Sequence, residues 1–133
     1  MNLLSSSPSV PTASAPHPKV TALFRSMLSL IFLVAGTGHV LQTNHIVNRL
    51  LDARLGFLAT SIAPARPLVL LAGVGLFVGG LCLFLGYYTR VASVLLIAIV
   101  IPITITIQIG RPTLGPLFKN IAIIGGLLFF AVH

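Results

Sequence analysis

Four long apolar stretches, roughly Val20–Leu41, Pro67–Leu85, Val91–Ile109 and Leu117–Val132, occupy most of this chain, and the whole sequence holds one acidic residue, Asp52. Each stretch approaches the ~20 residues a helix needs to cross ~30 Å of hydrocarbon. Lipid offers no hydrogen bonds to exposed backbone, so only helices and closed barrels can span it. These runs are too long and too uniformly apolar for the ~10-residue alternating strands of a barrel. The expected fold is all-α: a polytopic four-helix membrane bundle, with the lipid bilayer as its first partner.

With 133 residues, 56% hydrophobic and 7% charged, there is room for one membrane domain and no separate soluble one. Function must then reside in the bundle, its short loops or a partner. The net charge of +7 would suggest nucleic acid in a soluble protein. Here the Lys and Arg residues scatter at the ends of spans, which points to anchoring beside anionic lipid and to no nucleic-acid partner. Residues 1–18, MNLLSSSPSVPTASAPHP, read as a disordered Ser/Pro/Ala-rich tail, and 19–133 as the membrane domain. The tail has neither the Arg content nor the amphipathic period of a transit peptide. The first apolar run is of full spanning length, so it is expected to stay in the membrane.

The longest loop, Gln42–Arg66, carries its own helical period. Val47, Leu50, Leu51, Leu55 and Leu58 recur at steps of three and four, while His45, Asn48, Arg49 and Asp52 fall on other faces. An amphipathic helix follows, lying in the interface or capping the bundle. Arg49 and Asp52, three apart, are spaced to pair. Pro64 and Pro67 bracket a turn and begin the second span, where an early proline loses no bond the helix needs.

In the second span Ala72, Gly75, Gly79, Cys82 and Gly86 step by three and four, forming a stripe of small side chains. Such a stripe admits a neighbouring backbone at close range, which is how membrane helices gain dispersion contacts. It serves either packing within the chain or an interface with a second copy or a partner subunit. Ala122 and Gly126 repeat the spacing, which makes the fourth span a candidate neighbour of the second.

Polar residues inside spans are costly unless they find a partner, so they are the best pointers to function. Thr37 and His39 close the first span, Thr104, Thr106 and Gln108 the third, and Lys119 and Asn120 open the fourth. In an up-down-up-down bundle all reach one side and can line a polar mouth, roofed by the loop helix with His45 and Arg49. His39 and Lys119 would donate to the carbonyls of a quinone, with Thr104, Gln108 and Asn120 as secondary partners. The alternative is a purely structural polar cluster. Pro102 removes a backbone donor and predicts a kink just before Thr104 and Thr106.

Other chemistries find no support. One clearly spanning histidine, His39, does not make a bis-histidine haem site. No span carries the carboxylate of a proton-coupled exporter. The single cysteine, Cys82, forms no C-x-x-C pair and reads as a small packing residue. No cluster has zinc spacing, no Ser-His-acid set assembles, and no Gly-rich phosphate loop is present. The chain alone is poorly equipped for catalysis.

Taken in order, LIFLVAGTGHVLQ (Leu30–Gln42), GGLCLFLGYYTR (Gly79–Arg90), IVIPITITIQ (Ile99–Gln108) and GPLFKNIAIIGGLL (Gly115–Leu128) resemble the DoxX-like family of small four-helix membrane proteins. The resemblance runs from about Ala22 to the end. Its sharpest pieces are Leu-Gly-x-x-Thr-Arg at Leu85–Arg90 and Lys-Asn-x-Ala-x-x-Gly-Gly at Lys119–Gly126. It implies a multi-pass protein of the bacterial cytoplasmic (inner) membrane, associated with quinone-linked sulfur oxidation and oxidative-stress redox complexes. Leu76 stands where many relatives have Glu, and His39 and Gln108 stand where some have Lys and His, which weakens any independent redox or proton-handling role. Counting positive charges favours termini outside. The resemblance favours cytoplasmic termini and is preferred, because several opposing charges belong to the loop helix.

Three expectations follow. The first is an auxiliary subunit of a quinone-linked redox system, working beside a membrane or peripheral redox protein. The second is a non-catalytic scaffold or assembly factor that docks a partner, or a second copy, through the small-residue face. The third is a small-solute permease.

Overall fold

Prolines open three of the four long helices. Pro18 begins α1 (Pro18–Leu41), Pro64 precedes α4 (Ala65–Leu85), and Pro116 lies in the first turn of α6 (Gly115–Val132). At those positions the missing N–H would have no intrahelical acceptor. A computed structural model describes residues 9–133, which fold as α1, two short helices α2 (Thr43–Leu51) and α3 (Gly56–Thr60), then α4, α5 (Thr89–Ile103) and α6. Between α5 and α6 a π-helical segment, Thr104–Gln108, extends the third span. Among the described residues four helices are long and apolar enough to cross a membrane: Pro18–Leu41, Ala65–Leu85, Thr89–Gln108 and Gly115–Val132. They start within about two residues of the expected spans. Of the expected tail, residues 1–8 lie outside the described residues, 9–17 form no helix or strand, and Pro18 already belongs to α1.

The spans pack in the order α1, α4, α5, α6. The α1/α4 contact is the most intimate, because glycine on both helices removes the side chains that would hold them apart. A Cβ built on Gly36 of α1 would lie 2.6 Å from the backbone nitrogen of Phe77 and 2.8 Å from the carbonyl of Gly73. From the α4 side, a Cβ on Gly73 would meet His39 Cβ at 2.6 Å, and one on Gly80 would meet Phe32 Cβ at 2.9 Å. The expected stripe faces elsewhere. Gly75 lies against Ile99 and Gly79 against Leu96, so this row of α4 is filled by α5.

Two further expectations change here. Gly86 does not continue the stripe: with φ of 81° it ends α4 as a left-handed cap, and the guanidinium of Arg25 lies over it. Arg25 thereby puts its charge beside the last carbonyls of α4, where a cation is favoured. Gly126 is a neighbour of α1 rather than α4: a Cβ there would meet Phe24 and Leu28 at 3.2 and 3.3 Å, while Ala122 is exposed. Phe24 also packs its ring 5.3 Å from Phe130 and 6.2 Å from Phe129. These contacts join α1 to α6 at the end that carries the chain termini.

At the opposite end α2 and α3 dock onto the bundle. Leu50 is buried with Val69 of α4 and Ile107 of the π segment, and Ile46, Val47 and Ala59 pack around them. The loop helix therefore turns its apolar face onto α4 and α5. Arg49 and Asp52 make no hydrogen bond to each other: Arg49 is half-buried, and the exposed Asp52 lines a cleft with Arg54 and Arg111.

Candidate functional site

Pro102 has no N–H to give to Ala98, so the α-helical ladder of the third span is already broken before its last turn. The chain answers by widening. Ile109 N–H donates to Thr104 O at 3.2 Å, an i to i−5 bond characteristic of a π-helix. Such wider turns rotate the following side chains and recur at functional positions. Thr104, Thr106 and Ile107 are buried, and Gln108 is half-buried.

The threonine hydroxyls donate to their own helix, Thr104 Oγ1 to Val100 O and Thr106 Oγ1 to Pro102 O, both at 2.7 Å. That use is common for hydroxyls in apolar surroundings and leaves them only lone pairs to offer. Thr104 spends one across the bundle: Asn120 Nδ2 of α6 donates to Thr104 Oγ1 at 3.0 Å, with both residues buried. Of the expected mouth, Thr104 and Asn120 are thus brought into contact, and Gln108 follows about one turn further along. The carboxamide oxygen Oε1 of Gln108 is buried and has no hydrogen-bond partner among the described residues. An unmet buried polar atom costs about 1–3 kcal/mol, so this carboxamide is short of a partner.

His39 and Lys119 stand apart from that pair. The ring of His39 bonds the carbonyl of Ala35 through Nδ1 at 2.8 Å, and its Cβ packs on Gly73. Donation from Nδ1 fixes the tautomer, so in the neutral ring Nε2 is an acceptor. Lys119 is exposed at the start of the second turn of α6. No hydrogen bond joins His39, Gln108 and Lys119 to one another. Thr37 bonds Leu33 O in its own helix and is exposed.

Two clefts flank the site on the same end of the bundle. One, of about 570 Å³, lies at the α1/α2 junction against Thr43, His45 and Arg66. The other, of about 460 Å³, lies between the α2–α3 turn and the α5–α6 loop. Sequence reasoning did not reach either, because each forms where segments distant in the chain meet. The Asn120–Thr104 pairing was also missed, although both residues were singled out.

The sequence model of the DoxX family matches residues 20–109 of the 133-residue chain. The chain belongs to the DoxX family. No curated protein and no solved structure matches it. In this DoxX protein the family match covers α1 to the π segment, and the Lys119–Gly126 run lies beyond it. The two sharpest sequence motifs acquire structural roles. Leu85–Arg90 is the α4–α5 turn, whose Arg90 donates from Nη2 to Val132 O at 2.9 Å and so ties down the end of α6. Within Lys119–Gly126, Asn120 bonds the π segment and Gly126 admits α1.

Proposed function

We propose that this DoxX family membrane protein is an auxiliary subunit of a quinone-linked redox system, and that its π-helical end holds the quinone head group. The observation that carries the reading is the partnerless carboxamide of Gln108 beside the Thr104–Asn120 bond. The two ends of a carboxamide are nearly equal in shape, so Gln108 can donate to a quinone carbonyl or accept from a quinol hydroxyl. Asn120, already bonded to Thr104, supplies a second amide. Lys119, at the mouth of α6, suits the head group's outer edge. A bound quinone supplies two-electron carrier chemistry. The chain's own residues, Gln108 and Asn120, would hold its oxygens.

Electrons would enter and leave through a membrane or peripheral partner. Among the described residues no three metal-ligating side chains converge, and Cys82 is a lone half-buried thiol. The bacterial cytoplasmic membrane, where quinone pools and their dehydrogenases meet, is the compartment that goes with this role. Docking of a partner through the Gly75/Gly79 face is less attractive, because Ile99 and Leu96 already fill it.

The test is a thermal-shift titration of the purified protein with a short-chain ubiquinone analogue. The wild type should be stabilised in a saturable way. Gln108→Leu should weaken the apparent affinity about tenfold, as expected for loss of a buried hydrogen bond worth about 1.4 kcal/mol. Equal shifts for both proteins, or none for the wild type, would remove the proposal.

A further inference from the structure

The cleft between the α2–α3 turn and the α5–α6 loop is lined by Asp52, the chain's single acidic residue, by Arg54 and Arg111, and by Thr113. Its depth in the membrane is set by the spans. The third ends at Gln108 and the fourth begins at Gly115, so residues 110–113 lie just past the hydrocarbon, level with lipid head groups.

Both arginines are held in place. Arg111 donates from Nε to Ile107 O at 2.9 Å, which anchors the guanidinium and leaves its terminal nitrogens free. The stem of Arg54 lies on Gly110, where a Cβ would meet Arg54 Cδ at 3.1 Å. Gly110 has φ of 86°, a conformation other residues rarely adopt, so this seat for Arg54 depends on glycine. Among the described residues nothing hydrogen-bonds the Asp52 carboxylate, and no ion pair forms with either arginine.

We propose that this cleft binds the head group of a glycerophospholipid that carries both a phosphodiester and a primary ammonium. Two guanidiniums match the phosphate, for which their planar, forked donors are suited. The free carboxylate matches the ammonium. A purely anionic head group would leave Asp52 facing like charge, and a quaternary ammonium would offer it no N–H. The cleft is distinct from the Gln108 site, and its occupancy does not depend on quinone.

The test uses the full chain in nanodiscs of phosphatidylcholine with equal minor shares of phosphatidylethanolamine and phosphatidylglycerol, and counts retained lipids by native mass spectrometry. Wild type should retain phosphatidylethanolamine preferentially. Asp52→Asn, isosteric and exposed, should reduce that retention to the phosphatidylcholine level. Arg54→Ala and Arg111→Ala should each lower it about fivefold, the effect expected of one cation near a membrane surface. The melting temperature of Asp52→Asn, whose carboxylate makes no hydrogen bond, should stay at the wild-type value. Several results would overturn the assignment: no lipid preference in the wild type, a preference for phosphatidylglycerol, or a phosphatidylethanolamine preference that survives Asp52→Asn. Displacement of the retained lipid by inorganic phosphate would do the same, since it would make the cleft a site for free anions.

Discussion

Gly36→Leu is expected to leave little folded protein, whereas Gly38→Ala, two residues along the same helix, is expected to leave stability unchanged or slightly raised. At Gly36 the first added carbon already meets the backbone of α4, the Phe77 nitrogen at 2.6 Å and the Gly73 carbonyl at 2.8 Å. Backbone cannot rotate aside as a side-chain tip can, so α1 and α4 must separate along their closest contact. Overpacking a core costs about 1–3 kcal/mol even where neighbours adjust, and a leucine here adds three more carbons to a space without room for one. Membrane helices have no hydrophobic force to restore the contact once dispersion is lost. At Gly38 an added Cβ meets nothing within 4 Å, and alanine is favoured over glycine inside a helix by about 0.5–1 kcal/mol. Melting both variants in mild detergent checks the pair. Equal melting temperatures would mean that the α1/α4 approach is not what holds the bundle.

Phe32→Ala is expected to be the most damaging single truncation in the interior, at about 1–3 kcal/mol. Phe32 is only 2% exposed and sits in one cluster with Leu28, Leu76, Leu83, Leu96, Val100, Ile123, Leu127 and Phe130, drawn from all four spans. In a soluble protein a phenylalanine truncation costs about 3–5 kcal/mol, combining lost transfer from water with the cavity left behind. Here the unfolded helices remain in lipid, so the transfer part largely disappears and the cavity part stays. Denaturation by added sodium dodecyl sulfate gives the difference directly. A cost near the soluble range would show that the unfolded state exposes this helix to water.

The spans were legible because hydrocarbon thickness imposes a length that local structure cannot override. Pro64 and Pro67 then place the beginning of the second within a residue or two. What helical period did not settle was the choice between glycine rows. The segment AGVGLFVGG carries two of them, Gly75/Gly79 and Gly73/Gly80, a fraction of a turn apart. Both are used: the first admits side chains of α5, and the second admits the backbone of α1. Spacing shows that a face can be approached closely and is silent about which helix approaches it.

The polar cluster was legible in the same partial way. An up-down-up-down topology places Thr104, Gln108, Lys119 and Asn120 at one end, as the sequence requires. It does not reveal that Pro102 is followed by a π-helical turn. Nor does it reveal which of the third span's polar groups meets α6: Thr104 accepts from Asn120, while Thr106 bonds back to Pro102. His39 is expected at the same mouth, and its Nδ1 bonds Ala35 O of its own helix. No pattern of residue types reports that local bond.

The most direct measurement is mass spectrometry of what leaves the native membrane with this protein when it is extracted in its own lipid by an amphipathic polymer. The proposed role as a quinone-linked subunit requires a quinone in near-stoichiometric amount, together with a membrane or peripheral redox protein, and loss of the quinone in the Gln108→Leu variant. Recovery of the wild type with phospholipid alone would contradict that role and leave the π-helical end as a structural joint between α5 and α6.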